Sequence, residues 1–565
     1  MATDEKRSRG TTGQPPASVS RRTFLKGSAA AGVGTATVLA GFSAAKAASP
    51  PTEWTHEFDL VVIGAGPGGM SAAIEARKRG ASVMIVEQNF DIGGRAMMSS
   101  GNLYIGGGNR YEAATRKDFS PDAMFADWSR VDRPIGRYSD RELVRTWADS
   151  SLDVFNFFDE CGVNFNAYLP PGNNPDRLFR DGRTRLNVRP WPNEKVTNAG
   201  GSGIVRPLER MCRRLGVEFL MQHRMTQIHR ESQFVGPVVG ITAVQVDDWF
   251  QPKTQTVNVR ARKGIVIATG GCAGDVAFRT MFDVRLTAEY QSENAEWVPR
   301  KADGEIAAMA IGAALAGTAN QTTEDDHLLN KGRLGKKSNG ADTNLFATSP
   351  HFFRAGALGL RVGDWQDVIL VKENGLRFFD ETVPERNYKY FAAALDWTGD
   401  PKKMNGGGPI WAIFDSAAVT RERWTVAPPY VDPKYFFQAD TLAELAGKLT
   451  LNEYQWRPMP GNVLVKTVER YNSFVDSGKD TDFNKPTPMH KIATPPYYAA
   501  WCTPAIHDTF TGIRINKDAQ VIDLQGQVIP KLYACGDSAG GFGQHGITRA
   551  ATFGRRAGMR AIDNG

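Results

Sequence analysis

The sequence predicts an α/β fold in which a mostly parallel sheet is interrupted by a second, inserted domain. Three observations carry this. Residues 58–88 read as strand, glycine-rich turn, helix and second strand in immediate succession. Buried-strand patterns ending in glycine return at residues 263–271 and 531–537. Between about residues 320 and 500 the composition turns to Trp, Phe, Tyr, Pro and Asn with no second glycine-rich phosphate loop, as a separate domain would.

The first 47 residues stand outside this fold. Arg21 and Arg22 lie in Ser20-Arg-Arg-Thr-Phe-Leu-Lys26, followed by a weakly apolar Ala/Gly stretch and by Ala45-Lys46-Ala47. This looks like a twin-arginine export signal with an A-x-A cleavage site. The stretch is too poor in Leu and Ile for a membrane anchor. It also explains most of the net charge of +7, because residues 1–47 contribute +5 and leave +2 for the rest. A balance so even is no nucleic-acid footprint, which needs a concentrated basic face.

Residues 60–63 form an apolar β-branched run, the mark of a buried parallel strand. Gly64, Gly66 and Gly69 complete G-x-G-x-x-G, with Pro67 and Gly68 between them. The first glycine permits the tight turn, the second lets a pyrophosphate approach the backbone, and the third lets helix pack on strand. An Ala-rich helix follows, whose N-terminus favours phosphate. The next strand, residues 82–86, ends at Glu87, placed to bind a ribose hydroxyl.

Glycine-rich turns follow at Gly93-Gly94-Arg95 and at Ser100-Gly101, where backbone can lie against a flat ligand. Residues 205–216 have helical spacing, 217–220 read as a strand, and pieces at 228, 238–246 and 256–259 suggest an antiparallel meander. Residues 263–271 then return as a separate buried strand ending in Ala268-Thr269-Gly270-Gly271. Asp303-Gly304 opens a helix expected to run through Ala316. The C-terminal segment adds strands near 512–516, 521–523 and 531–537, then a last helix over about 548–562. The domain boundaries expected are 57–320 and 501–565 for the nucleotide domain and 321–500 for the insert. The five cysteines are widely spaced and form no C-x-x-C, so a zinc, iron–sulfur or other metal site has no support.

Taken together, Gly64 to Gly69, Gly93-Gly94 before Ser100-Gly101, Ala268 to Gly271, Asp303-Gly304 and Cys535-Gly536-Asp537 resemble the FAD-binding oxidoreductases of the fumarate reductase/succinate dehydrogenase flavoprotein superfamily. The resemblance implies a doubly wound, Rossmann-like FAD domain with an inserted α+β capping domain. It places Glu87 on the adenosine ribose, Asp537 near the ribityl or pyrophosphate, residues 93–101 along the flavin, and Ile547 at the helix N-terminus facing the flavin C2 carbonyl. No histidine matching the flavin-attaching one of the succinate dehydrogenases lies at residues 95–99, so FAD is expected to be non-covalent.

A narrower likeness, to tricarballylate dehydrogenase and related carboxylate dehydrogenases, is carried by residues 376–381 and 386–390. It makes Arg386 the candidate proton carrier, with Tyr388 the phenol that a ketosteroid-type enzyme would use. The substrate-binding His of the fumarate reductases falls on Asp508, with His507 one step earlier. Their clamp arginine is replaced by a Gly-rich loop holding His545 and Arg549. The implied activity is hydride exchange across a C–C bond next to a carboxylate or carbonyl, with a carboxylate or cyclic enone as small-molecule substrate. A cytochrome or quinone is the implied electron partner. A ketosteroid-type dehydrogenase and a FAD-holding electron-transfer subunit are the alternatives.

Overall fold

The computed structural model describes residues 50–99, 101–112, 119–131, 134–165, 185–187, 200–318, 329–331, 333–337, 358–383, 388–398, 406–449, 454–455, 458–543 and 546–565. Of the residues and motifs named above, Ser100, Arg386, His545 and the leader lie outside the described residues; Tyr388 opens a helix, Tyr388–Leu395, without a described side chain.

The apolar runs make the expected strands. β1 (His56–Ile63) leads through the glycine turn into α1 (Pro67–Lys78) and β2 (Val83–Val86), whose residues are all buried. After α2 (Ser202–Arg214) come β3 (Glu218–Leu220), β4 (His223–Ser232), β5 (Val235–Val246) and β6 (Pro252–Ile267). The helix α3 spans Asp303–Met309. The second group of strands is β7 (Ile369–Lys372), β8 (Ile410–Asp415), β9 (Phe436–Ala439) and β10 (Tyr497–Trp501). β11 (Gln520–Ile522), β12 (Val528–Ala534) and α4 (Ile547–Asp563) close the chain.

Among the described residues the large sheet has eight strands in the path β11-β12-β6-β1-β2-β3, with β4 on β5 and β5 on β6. The pairs β1–β2, β1–β6, β6–β12 and β2–β3 are parallel. Strands from both ends of the chain thus share one sheet. The second sheet, β7-β8-β10-β9, is antiparallel and buried on both faces: Ile369, Val371, Trp411 and Ile413 face one apolar cluster, and Leu370, Ala412 and Phe414 face another. β10 extends to Trp501, so the second sheet reaches one residue into the segment expected to begin the returning nucleotide domain.

Two elements differ from expectation. The last meander strand and the parallel strand are one continuous strand, β6, which pairs with β5 in its first half and with β1 and β12 in its second. A register shift between Phe58 and Leu60 marks the irregularity, and bulges of this kind let one strand serve two surfaces. The helix after Asp303 stops at Met309 rather than Ala316. Gly312 takes φ +99°, and Leu315–Ala316 pairs as a short strand with Gly512–Ile513. Gly312 acts there as a terminator.

Helix α4 lies on α1 with backbone close to backbone. An added Cβ at Gly554 would stand 2.1 Å from the Gly68 carbonyl oxygen, and one at Gly558 would stand 2.2 Å from that of Ala72. Spaced four apart, these glycines share one face of α4. The same packing holds the glycine turn from beneath.

Candidate functional site

The turn after β1 shows why its glycines are where they are. Gly64 has φ +103°, and a Cβ there would meet the Ala268 carbonyl oxygen at 2.3 Å. A Cβ at Gly69 would lie 2.0 Å from the Gly64 carbonyl oxygen. Gly66 is different: nothing lies within 4 Å of a Cβ added to it, because it faces a cavity. It is also the N-cap of α1, whose first turn carries no side-chain cap, and α4 begins at Gly546 and Ile547 likewise without one. Two helix N-termini without a side-chain cap thus border one cavity, where their dipoles favour an anion.

The cavity runs along the ends of the parallel strands and holds about 1650 Å³ of empty space, including the part open to solvent. Of the sequence-predicted cofactor residues, Gly64, Gly66, Pro67, Gly68, Glu87, Gly93, Gly94, Arg95, Ala268, Thr269, Gly270, Asp303, Gly536, Asp537 and Ile547 line it, as do His507 and Asp508. Gly69, Gly101 and Gly304 do not line it and pack from behind, against Gly64, Gly200 and Thr269 respectively.

Glu87 is buried, its Oε2 accepting from the Ala65 N–H at 2.7 Å and its Oε1 from the Asn89 N–H at 2.8 Å. Burial raises its pKa, against the pull of these backbone donors. Burial likewise raises that of Asp303. At the other end Asp537 accepts from Arg549 at 2.5 Å, and Arg549 also donates to the Phe542 carbonyl at 2.7 Å. Arg549, expected among the catalytic groups, is not on the cavity wall. Its helix places it behind Asp537, which it holds toward the cavity.

An ionic cluster sits at the same end. Arg95, on the 3₁₀ turn Gly94–Met98, donates to Asp508 at 2.5 Å, pairs with Glu293 at 3.3 Å and stands 2.7 Å from His507 Nδ1. Glu293 also closes on His507 Nδ1. One nitrogen thus faces a cationic donor and a carboxylate, and the proton on it decides which bond forms. Burial and then Arg95 hold the His507 pKa below its ordinary value, which keeps the ring neutral. Burial disfavours the charged form of Arg95, but Asp508 and Glu293 more than offset this and raise its pKa. Arg300 lies beneath, donating to the carbonyls of His507, Glu293 and Ile506, its pKa lowered to about 10 by burial and by Arg95.

Sequence reasoning did not find Glu293, Trp297, Arg300, Met225 or Phe250, all of which line the cavity. Among the described residues no cluster of His, Cys, Asp and Glu could hold a metal ion, and no helix is long and apolar enough to cross a membrane.

This cavity fits an adenine dinucleotide: two helix N-termini without a side-chain cap, an open cradle over Gly66 and the buried Glu87 carboxylate just after β2. The family model described as FAD binding domain matches residues 59–553. The chain belongs to the FAD binding domain family. A second match, to the twin-arginine translocation pathway signal sequence, covers residues 18–38. Fumarate reductase (cytochrome) of Shewanella frigidimarina is 27% identical over 513 residues, spanning 89% of this chain and 76% of that one. The 3-oxosteroid 1-dehydrogenase of Mycobacterium tuberculosis is 25% identical over 573 residues, covering 85% and 93%. The fold is that of 3-ketosteroid delta1-dehydrogenase from Sterolibacterium denitrificans, with a TM-score of 0.63 at 18% identity over 90% of this chain and 100% of that one. The protein is an exported FAD-dependent oxidoreductase acting on carbon–carbon bonds.

Proposed function

We propose that the bond it oxidises or reduces lies alpha/beta to a carboxylate or carbonyl. The observation that carries this reading is the cluster of Arg95, Asp508, His507 and Glu293 at one end of the cofactor cavity. When bound, FAD supplies the two-electron chemistry by taking or giving a hydride at N5. Arg95 offers N–H donors to the substrate oxygen, where negative charge grows as the α-carbon loses its proton. A side chain of the inserted domain exchanges that proton with the α-carbon and passes it on to neighbouring charged groups, with Arg386 as the candidate and Tyr388 as the runner-up. Asp508 and Glu293 fix the Arg95 guanidinium, and Arg549 fixes Asp537. Residues 321–500 act as the cap, excluding water when closed.

FAD is held without a covalent bond, and electrons are exchanged with a cytochrome or quinone. The latter reading draws on the relative named fumarate reductase (cytochrome). A second substrate reading, a cyclic ketone handled as by a ketosteroid-type dehydrogenase, is favoured by the pairing of Arg95 with two carboxylates. A site so neutralised suits a neutral carbonyl better than a dicarboxylate.

Anaerobic flavin spectra test both. Substrate bleaches the oxidised flavin, or restores it from the reduced form, within a panel of monocarboxylates, dicarboxylates and cyclic enones. No response from any of them would overturn the proposal. Arg386→Lys should abolish turnover while leaving the flavin bound; unchanged turnover removes Arg386 from the mechanism and leaves the phenol.

A further inference from the structure

The turn between β5 and β6 carries a bulky residue in a conformation that bulky residues avoid. Phe250 has φ +63°, in the left-handed region where glycine is usual. The turn is nevertheless fully braced. Asp247 accepts through Oδ1 from the N–H groups of Trp249 at 2.8 Å and Gln251 at 2.9 Å, and through its carbonyl from Phe250 at 2.9 Å. Asp247 in turn donates its N–H to the Gln251 carbonyl at 3.0 Å. An observed outlier held in place by its surroundings points toward function.

Its position says which function. Gln222 Nε2 donates to Asp248 at 2.7 Å, and the Val246 N–H donates to the Gln222 carbonyl at 2.8 Å. Next along the chain, the His223 N–H donates to the Glu87 carbonyl at 2.9 Å, and the Gln222 N–H to that of Asn89 at 3.2 Å. The turn is therefore tied, through residues 222 and 223, to the backbone that carries the ribose-side carboxylate. Phe250 is half-buried and lines the cofactor cavity together with Gln88, Asn89, His223 and Met225. In FAD, the group joined to that ribose is adenine.

We infer that Phe250 is the aromatic platform on which the adenine of FAD stacks, and that Asp247 is the positioning residue that presents it. Every purine offers a π-face to such a ring, and stacking of this kind is strong enough to decide retention of a dinucleotide. The strained backbone places the ring against the cavity, where an unstrained turn with glycine at this position would present none.

The test is FAD binding to flavin-stripped protein, followed by quenching of flavin fluorescence, beside the thermal midpoint of the stripped protein. Phe250→Leu keeps apolar bulk without a ring face and should weaken FAD roughly five- to a hundredfold. Phe250→Tyr keeps the face and should stay within about threefold of the natural chain. Phe250→Gly removes the ring but relaxes the turn, so it should lose affinity as Leu does without lowering the midpoint. Asp247→Ala should lose affinity by freeing the turn, with Phe250 intact. Full affinity in the Leu variant, or equal loss in the Tyr and Leu variants, would overturn the assignment.

Discussion

Helix α4 grips the phosphate turn through two glycines, and lengthening either side chain by one carbon separates packing from binding. Consider Gly554→Ala. The new Cβ would stand 2.1 Å from the Gly68 carbonyl oxygen, where ordinary contact begins at 3.4 Å, a shortfall of 1.3 Å (3.4 minus 2.1). Gly558→Ala produces a nearly equal shortfall, 1.2 Å (3.4 minus 2.2), against Ala72. Each must push α4 away from α1 by roughly that distance. Overpacking of this kind costs about 1–3 kcal/mol. Replacing Gly by Ala within a helix returns about 0.8–1.0 kcal/mol. Either variant should therefore lose up to ~2 kcal/mol in urea unfolding of the flavin-free protein. Their effects on the cofactor should differ. Gly68 lines the cofactor cavity, whereas Ala72 lies a full helical turn away and does not. Gly554→Ala should thus weaken FAD beyond what its stability loss implies, and Gly558→Ala should bind near the natural level. Equal FAD affinities in the two variants would refute the claim that α4 sets the shape of the phosphate turn.

Other outcomes follow from the same geometry. Glu87→Ala strips two buried backbone N–H groups of their acceptor, at about 1–3 kcal/mol each, and should be most visible as FAD loss on gel filtration. Arg377→Met removes the cation between buried Glu381 and Asp480, leaving Glu381 with Lys485 at 3.3 Å and the Leu370 N–H at 3.1 Å; a loss of about 3–5 kcal/mol is expected by denaturant titration. His507 is held neutral by burial, so its folded pKa lies below the unfolded value. The unfolded chain then binds the extra proton, and stability falls as pH drops below about 6.5. His507→Gln should flatten that slope in unfolding curves between pH 7 and the folded pKa. Acid precipitation should release all yellow colour into the supernatant, since the FAD is proposed to be non-covalent; colour left in the pellet would contradict this.

The nucleotide half was legible because its physics is local. Gly64, Gly66 and Gly69 are dictated by contacts within one strand–turn–helix unit, and Glu87 follows at the end of the next strand. The ionic cluster was legible only in part. Arg95 sits in a glycine motif and His507-Asp508 in a recognisable segment, but Glu293 and Arg300 come from a stretch with no periodicity or motif. They meet Arg95 only once β6 and the C-terminal strands have been laid side by side. Phe250 left even less trace, since the outlier is a backbone angle and its partner surface lies some 160 residues earlier. β6 reads as two pieces in the sequence because a strand that serves two surfaces changes its burial pattern midway. α3 is shorter than its composition suggests because the Ala-rich stretch continues past Gly312, where the backbone φ changes sign.

The sharing of one sheet by both ends of the chain has a consequence for biogenesis. The glycine turn is synthesised early, yet Gly536, Asp537 and Ile547 on the cavity wall, and Gly554 beneath the turn, emerge from the ribosome more than 450 residues later. Stable loading must wait until this later segment has closed the sheet. Retained FAD therefore certifies that the sheet is assembled, before a leader of the type that moves folded cargo carries the protein out of the cytoplasm.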